Sequence, residues 1–307
     1  MSAQQHHQHS ARGTVFITAL VVTLAYAAVE FAGSLWTGSL ALMSDAGHML
    51  SDALALGLAA IAARLARRPA SHRHSYGWAR AEVIGATLNS LLMLAIIVAL
   101  VVEAVTRLLN PRPVEGLGMT VIALVGLAVN ALVIWIMSRG EMTLNARAAL
   151  LHVIGDLVSS FAALVAGTVI YFTGWLPIDP ILSLVIAGLI LISTAKLLRD
   201  TLHVLMEGVP PTLNLNDVGT ALAGVAGVTS VHDLHVWSIT PGQVALSAHL
   251  EINDLHRWPA ILAAATALAN DRFGIGHVTF QPEAHGARGR RGTAVIRMWP
   301  RGRRPKT

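Results

Sequence analysis

The chain has 307 residues, 54% of them hydrophobic and only 13% charged, with a mean hydropathy of +0.60. A soluble globular protein carries about 25% charged residues, so the composition excludes an ordinary soluble domain and makes the lipid bilayer the first expected partner. No cysteine is present, which excludes disulfides and thiolate metal sites alike.

The chain begins with a polar stretch, residues 1–13, "MSAQQHHQHSARG". It has no small-residue cleavage site ahead of the first apolar run, so no cleaved signal peptide is expected. Its histidines at 6, 7 and 9 fit weak metal collection and a merely flexible cytoplasmic tail equally well.

Residues 14–200 then read as a membrane domain. A helical span needs ~20 largely apolar residues, and six stretches qualify: about 14–34, 39–63, 83–106, 117–138, 148–173 and 178–198. The Pro/Gly-rich "NPRPVEGLG" at 110–118 marks the turn between the third and fourth. With the N-terminus inside, the inner segments hold Arg12, Arg64, Arg67, Arg68, Arg73, Arg80, Arg139 and Arg147, and the outer loops only Arg107 and Arg112. That bias puts both termini in the cytoplasm.

Two pairs interrupt the apolar pattern, "HMLSD" at 48–52 and "HVIGD" at 152–156. A spacing of four puts His48 with Asp52, and His152 with Asp156, on one face of their helices. The second and fifth spans run in opposite directions, so packed together they let all four side chains converge. Either pair alone reads as an interhelical hydrogen bond. The two together read as a tetrahedral site of two imidazoles and two carboxylates for a divalent transition metal, Zn²⁺ before others. Mg²⁺ or Ca²⁺ would call for oxygen ligands almost throughout.

A mid-membrane site between segments of opposite direction suits alternating access. The same ligands take up protons when metal leaves, the minimal chemistry of metal/H⁺ antiport. An intramembrane metalloenzyme fits less well, because no HExxH motif occurs and four ligands fill the tetrahedron. A membrane-bound metal sensor or scaffold would leave the quartet idle. Asp45, one turn outward of His48, lines an exit or proton pathway, or is an exposed helix-end residue. Glu30 and Asn130 lie in apolar runs and are candidates for interhelical hydrogen bonds.

From about 205 to 285 the texture changes to that of a small soluble α+β domain. "NLNDVGTALAGVAG" predicts a helix capped near Asn216 or Asp217. "VTSVHDLHVWSI" and "QVALSAHLEI" predict strands joined at "TPG". "HRWPAILAAATALANDRFG" predicts a second helix with Pro259 in its first turn. "HVTFQPE" predicts a last strand, for the order αββαβ with the helices on one face of the sheet. The remainder, 286–307, is a basic tail expected to be disordered. It accounts for much of the net charge of +5 and suits anionic lipid headgroups better than nucleic acid.

"LMSDAGHMLSDALAL", "RHSYGWARAEVIGA" and "LHVIGDLVSS" resemble signature segments of the cation diffusion facilitator family in its zinc-transporting branch, and the resemblance spans 14–285. It implies a homodimer of six-span protomers in a bacterial cytoplasmic membrane, exporting Zn²⁺ in exchange for H⁺ and tolerating Cd²⁺. The transport site then falls on His48, Asp52, His152 and Asp156. The soluble domain resembles the family's metallochaperone-like, ferredoxin-like domain. There His232, His249 and Glu283 match metal-binding positions, for zinc as a regulator as well as a substrate. Phe280 stands where some members have a ligand histidine, and His235 and His277 are extra histidines available to complete a site, or some of the five sit at a strand edge or interface. In the loop after the second span His74 matches one histidine of a further metal site, but Trp78 replaces the other. His72 is the substitute candidate, or an exposed loop residue. Arg80 and Glu207 match a basic and an acidic position, which implies an ion pair between protomers.

Overall fold

The computed structural model describes residues 21–138, 144–240, 242–284 and 299–300, apart from the side chains of 137, 144–149, 151, 152, 299 and 300. The described chain divides into two compact units. One is built from residues through Ile61 and from Gly85–Leu198, the other from Ala62–Ile84 and from Arg199 onward.

Among the described residues five helices are long and apolar enough to cross a membrane: α2 (Leu40–Ala66), α3 (Ala81–Leu109), α4 (Gly116–Ser138), α5 (Leu144–Thr173) and α6 (Ile178–Leu205). A further helix, α1 (Val21–Thr37), is apolar but shorter. Where the sequence reading places six spans, the described residues thus hold five helices of spanning length and one shorter apolar helix.

In the first unit α1, α2, α4 and α5 share cores. Ala41 and Leu42 of α2 pack with Met119 and Ala123 of α4 and with Ala163, Ala166 and Ile170 of α5. Tyr26 and Ala27 of α1 meet Met49 of α2. On α3 and α6, Met93 and Ile97 pack with Ile186, Ala187 and Ile190. Small residues allow close approach between membrane helices: a Cβ at Gly167 of α5 would lie 2.7 Å from Thr120 Oγ1 and 2.8 Å from its backbone nitrogen on α4. Outward side chains such as Val98, Leu189 and Ile192 are large, apolar and exposed, as suits a hydrocarbon solvent.

The helix that carries His48 and Asp52 starts on a cap supplied by another helix. Asp179 of α6 is fully buried. It accepts hydrogen bonds from Leu40 N (2.7 Å), Ala41 N (3.0 Å) and Ser39 Oγ (2.8 Å). Arg107 of α3 lies 3.9 Å from the same carboxylate and donates to the carbonyl of Gly38, tying α3 to the same corner.

In the second unit the order is α7 (Leu215–Ala223), β1 (Val228–Thr240), β2 (Gln243–Ile252), a 3₁₀ turn (Leu255–Arg257), α8 (Trp258–Phe273), β3 (His277–Ala284) and β4 (Trp299–Pro300). The αββαβ order is present, with β4 added from within the basic tail. The sheet runs β3-β2-β1-β4, with β1 antiparallel to β2 and β4, and β2 parallel to β3. The cap of α7 is Asn214, whose side chain accepts from Asn216 N at 2.8 Å, not Asn216 or Asp217. Of the three polar residues it is the one with extended backbone, as an N-cap requires. Pro259 sits in the first turn of α8, and Gly274 (φ 66) ends that helix in the left-handed conformation.

Alternate residues of β2, Leu246, Ala248, Leu250 and Ile252, are buried in one core with Val218 and Leu222 of α7 and Ile261, Ala265 and Ala269 of α8. Both helices thus cover that face of the sheet. Strand alternation sends Ser247, His249 and Glu251 to the other face.

Candidate functional site

In the membrane unit His48 is the meeting point. Its Nε2 lies 3.6 Å from Asp52 Oδ2 on the same helix and 4.0 Å from Asp156 Oδ1 on α5. Asp156 is almost fully buried, while His48 and Asp52 keep partial access. His152 stands one turn before Asp156 on α5, but its side chain lies outside the described residues. Three of the four expected ligands are thus described, and they come together from two helices. A histidine between two carboxylates offers the mixed nitrogen–oxygen donor set that suits Zn²⁺ and neighbouring divalent transition metals.

Asp45 is not an exposed helix-end residue; it is fully buried. Ser159 Oγ donates to its Oδ1, and Ser160 Oγ to its Oδ2 at 3.3 Å. Ser159 Oγ also lies 3.0 Å from the backbone carbonyl of Asp156, so the groups around Asp45 adjoin Asp156. Asn130 Nδ2 of α4 donates to Ser160 Oγ at 3.1 Å, an interhelical bond of the expected kind. Glu30 of α1, also fully buried, accepts from Tyr26 OH at 3.3 Å. Neither serine was singled out from sequence. Their signal was position: Ser159 lies one turn beyond Asp156 on a face already marked as polar.

In the second unit His232, His249 and Glu283 each bring a ligand atom within 4.8 Å of the others. His232 Nε2 is 3.0 Å from Glu283 Oε2, and His249 Nδ1 is 2.7 Å from Glu283 Oε1. His232 is buried, and its Nδ1 has no hydrogen-bond partner among the described residues. Strand pairing creates the cluster, since β1 sets His232 directly opposite His249 and β3 sets Glu283 beside Glu251 of β2.

The other histidines lie elsewhere. His235 Nε2 pairs with Asp233 Oδ1 at 3.0 Å. His277 is six residues from Glu283 along β3, ~20 Å at strand rise, and its ring meets Tyr76 edge-on at 6.1 Å. His74 lies against Trp78 with the rings tilted and centroids 5.1 Å apart, and His72 is exposed. Arg80 Nη2 and Glu207 Oε1 form an ion pair at 3.2 Å. Glu207 has φ 58 and stands in the turn that follows α6. The histidines at 6, 7 and 9 lie outside the described residues.

Known proteins match this chain in both its membrane and its cytoplasmic parts. Residues 16–206 match the cation efflux transmembrane domain, and residues 210–285 the cytoplasmic domain of cation efflux proteins. The chain is 39% identical to a protein of Bacillus velezensis named cadmium, cobalt and zinc/H(+)-K(+) antiporter, with 92% of each chain covered. It is 39% identical to the zinc transporter ZitB of Escherichia coli, over 85% of this chain and 84% of the relative. It is 36% identical to the metal cation efflux system protein CzcD of Cupriavidus metallidurans, over 92% and 90%. The chain belongs to the cation efflux family.

Proposed function

We propose that this protein is a proton-coupled antiporter that exports Zn²⁺ from the cytoplasm, and accepts Cd²⁺ and other divalent transition metals, by alternating access. The observation that carries the proposal is His48 of α2 standing between Asp52 and the buried Asp156 of α5. His152 completes a His₂Asp₂ tetrahedron as the fourth ligand. Metal and protons compete for these four groups, because each must be deprotonated to bind metal. Release of the ion on one side therefore loads protons for the return. Asp45, which accepts from Ser159, lines the proton pathway toward the outer exit.

The protomer has six spans with both termini in the cytoplasm, in a bacterial inner membrane, and works as a homodimer; the family name of the cytoplasmic domain supports dimerisation. His232, His249 and Glu283 hold a regulatory zinc. Their donor set suits it, and the buried polar nitrogen of His232 fits a site that polar partners complete.

The test is Zn²⁺ flux into proteoliposomes driven by a pH gradient. Flux that ignores the pH gradient and follows a K⁺ gradient would transfer the coupling to potassium, which the name of the Bacillus relative also mentions. Binding of zinc without flux under either gradient would favour a sensor.

A further inference from the structure

The two rings of the cytoplasmic cluster face a third carboxylate, and the backbone beneath it is unusual. Asp233 has φ 49, one of two non-glycine residues with positive φ among those described. The pairing of β1 with β2 explains how it arises. His232 faces His249 and His235 faces Ser247, so three steps along β1 answer two along β2. One extra residue is therefore accommodated on β1, a β-bulge whose first residue is left-handed. In a regular strand His232 and Asp233 would point to opposite faces. At the bulge both reach the same imidazole's surroundings: His232 joins Glu283, and Asp233 Oδ2 lies 3.6 Å from His249 Nε2.

His249 is thus hydrogen-bonded to Glu283 at Nδ1 (2.7 Å), and Asp233 stands at ion-pair distance from Nε2 (3.6 Å). An imidazole that binds metal through one nitrogen donates from the other, and a carboxylate there fixes the tautomer and ring orientation. We infer that Asp233 is the positioning residue of the cytoplasmic zinc site: it accepts the Nε2–H of His249 so that Nδ1 faces the metal alongside His232 and Glu283. His235, 3.0 Å from the other oxygen of Asp233, steadies that carboxylate and is not itself a ligand. The inference rests on the reading of His232, His249 and Glu283 as a zinc site. The bulge supplies the independent observation, because a left-handed aspartate is less stable than glycine there, yet it is what aims the carboxylate.

The experiment is calorimetric titration of zinc into the full chain in detergent, with Asp52→Ala and Asp156→Ala present to silence the membrane site. Asp233→Gly should lower cytoplasmic zinc affinity by about 10–100-fold. Amide hydrogen exchange across β1 and β2 in the metal-free protein should stay unchanged or slow, since glycine relieves the φ at 233. Asp233→Asn keeps an acceptor and tolerates the left-handed backbone, so it should recover part of the affinity. Parent affinity in Asp233→Gly, with affinity lost in His249→Ala, would overturn the inference alone. So would faster β1–β2 exchange in Asp233→Gly without rescue by Asp233→Asn, the mark of a merely structural residue. Parent affinity in His249→Ala would remove the zinc site itself, and the inference with it.

Discussion

The carboxylate of Asp179 accepts the backbone N–H of Leu40 at 2.7 Å across 139 residues of sequence. A helix start leaves its first N–H groups without internal partners, and its dipole favours a negative charge there. Here the last long helix supplies that charge to the helix bearing His48 and Asp52. Asp179→Ala should remove three hydrogen bonds and leave buried donors at Leu40 and Ala41. The expected loss is about 1–3 kcal/mol, seen as a lower thermal midpoint in detergent with weaker zinc binding at the membrane site. A variant as stable as the parent would contradict the capping role.

Ser159 joins Asp45 to the Asp156 backbone, so its removal should be felt by both. Ser159→Ala leaves a buried carboxyl short of one donor, worth about 1.5–3 kcal/mol if Asp45 is ionised. In a double-mutant cycle, Ser159→Ala and Asp45→Asn should couple by about 0.5–3 kcal/mol. Additive effects would show that the two side chains act independently.

Close helix approach gives a sharper contrast. Gly167→Ala sets a methyl group against Thr120 and should destabilise by about 1–3 kcal/mol. Gly188→Ala, with nothing within 4 Å of the added carbon, should be neutral or stabilising by up to about 1 kcal/mol. Thermal unfolding of the two variants checks the pair, and equal effects would contradict the packing of α4 against α5.

The periodic features of this chain were legible in its sequence. Helix spacing put His48 with Asp52 on one face, and strand alternation set the order of the cytoplasmic domain. What escaped were contacts that depend on how elements meet. Nothing local in "PIDPIL" tells that Asp179 will cap a helix begun at residue 40. Likewise "VHDLH" reads as a plain strand, because a bulge belongs to the register between two strands and not to either one. Asp45 stayed open between exposure and burial until α5 supplied Ser159 and Ser160. Asn214 was passed over as the cap of α7 because Asn216 and Asp217 offer the same chemistry two and three residues later, and only backbone conformation separates them.

The Arg80–Glu207 pair is partly exposed, so its worth is small despite the 3.2 Å contact. Glu207→Ala should change stability by less than about 1 kcal/mol and lose even that in high salt. Denaturation at two ionic strengths checks this. A larger loss would mean that the pair carries more than a surface contact.

In the proposed mechanism the intramembrane quartet carries the metal. Zn²⁺ flux into proteoliposomes under a pH gradient tests it directly, comparing the parent chain with Asp52→Ala and Asp156→Ala. The account predicts flux abolished or reduced at least ~100-fold in each variant, with the protein still folded, as expected for loss of a tetrahedral ligand. Undiminished flux in both would contradict the assignment of the site.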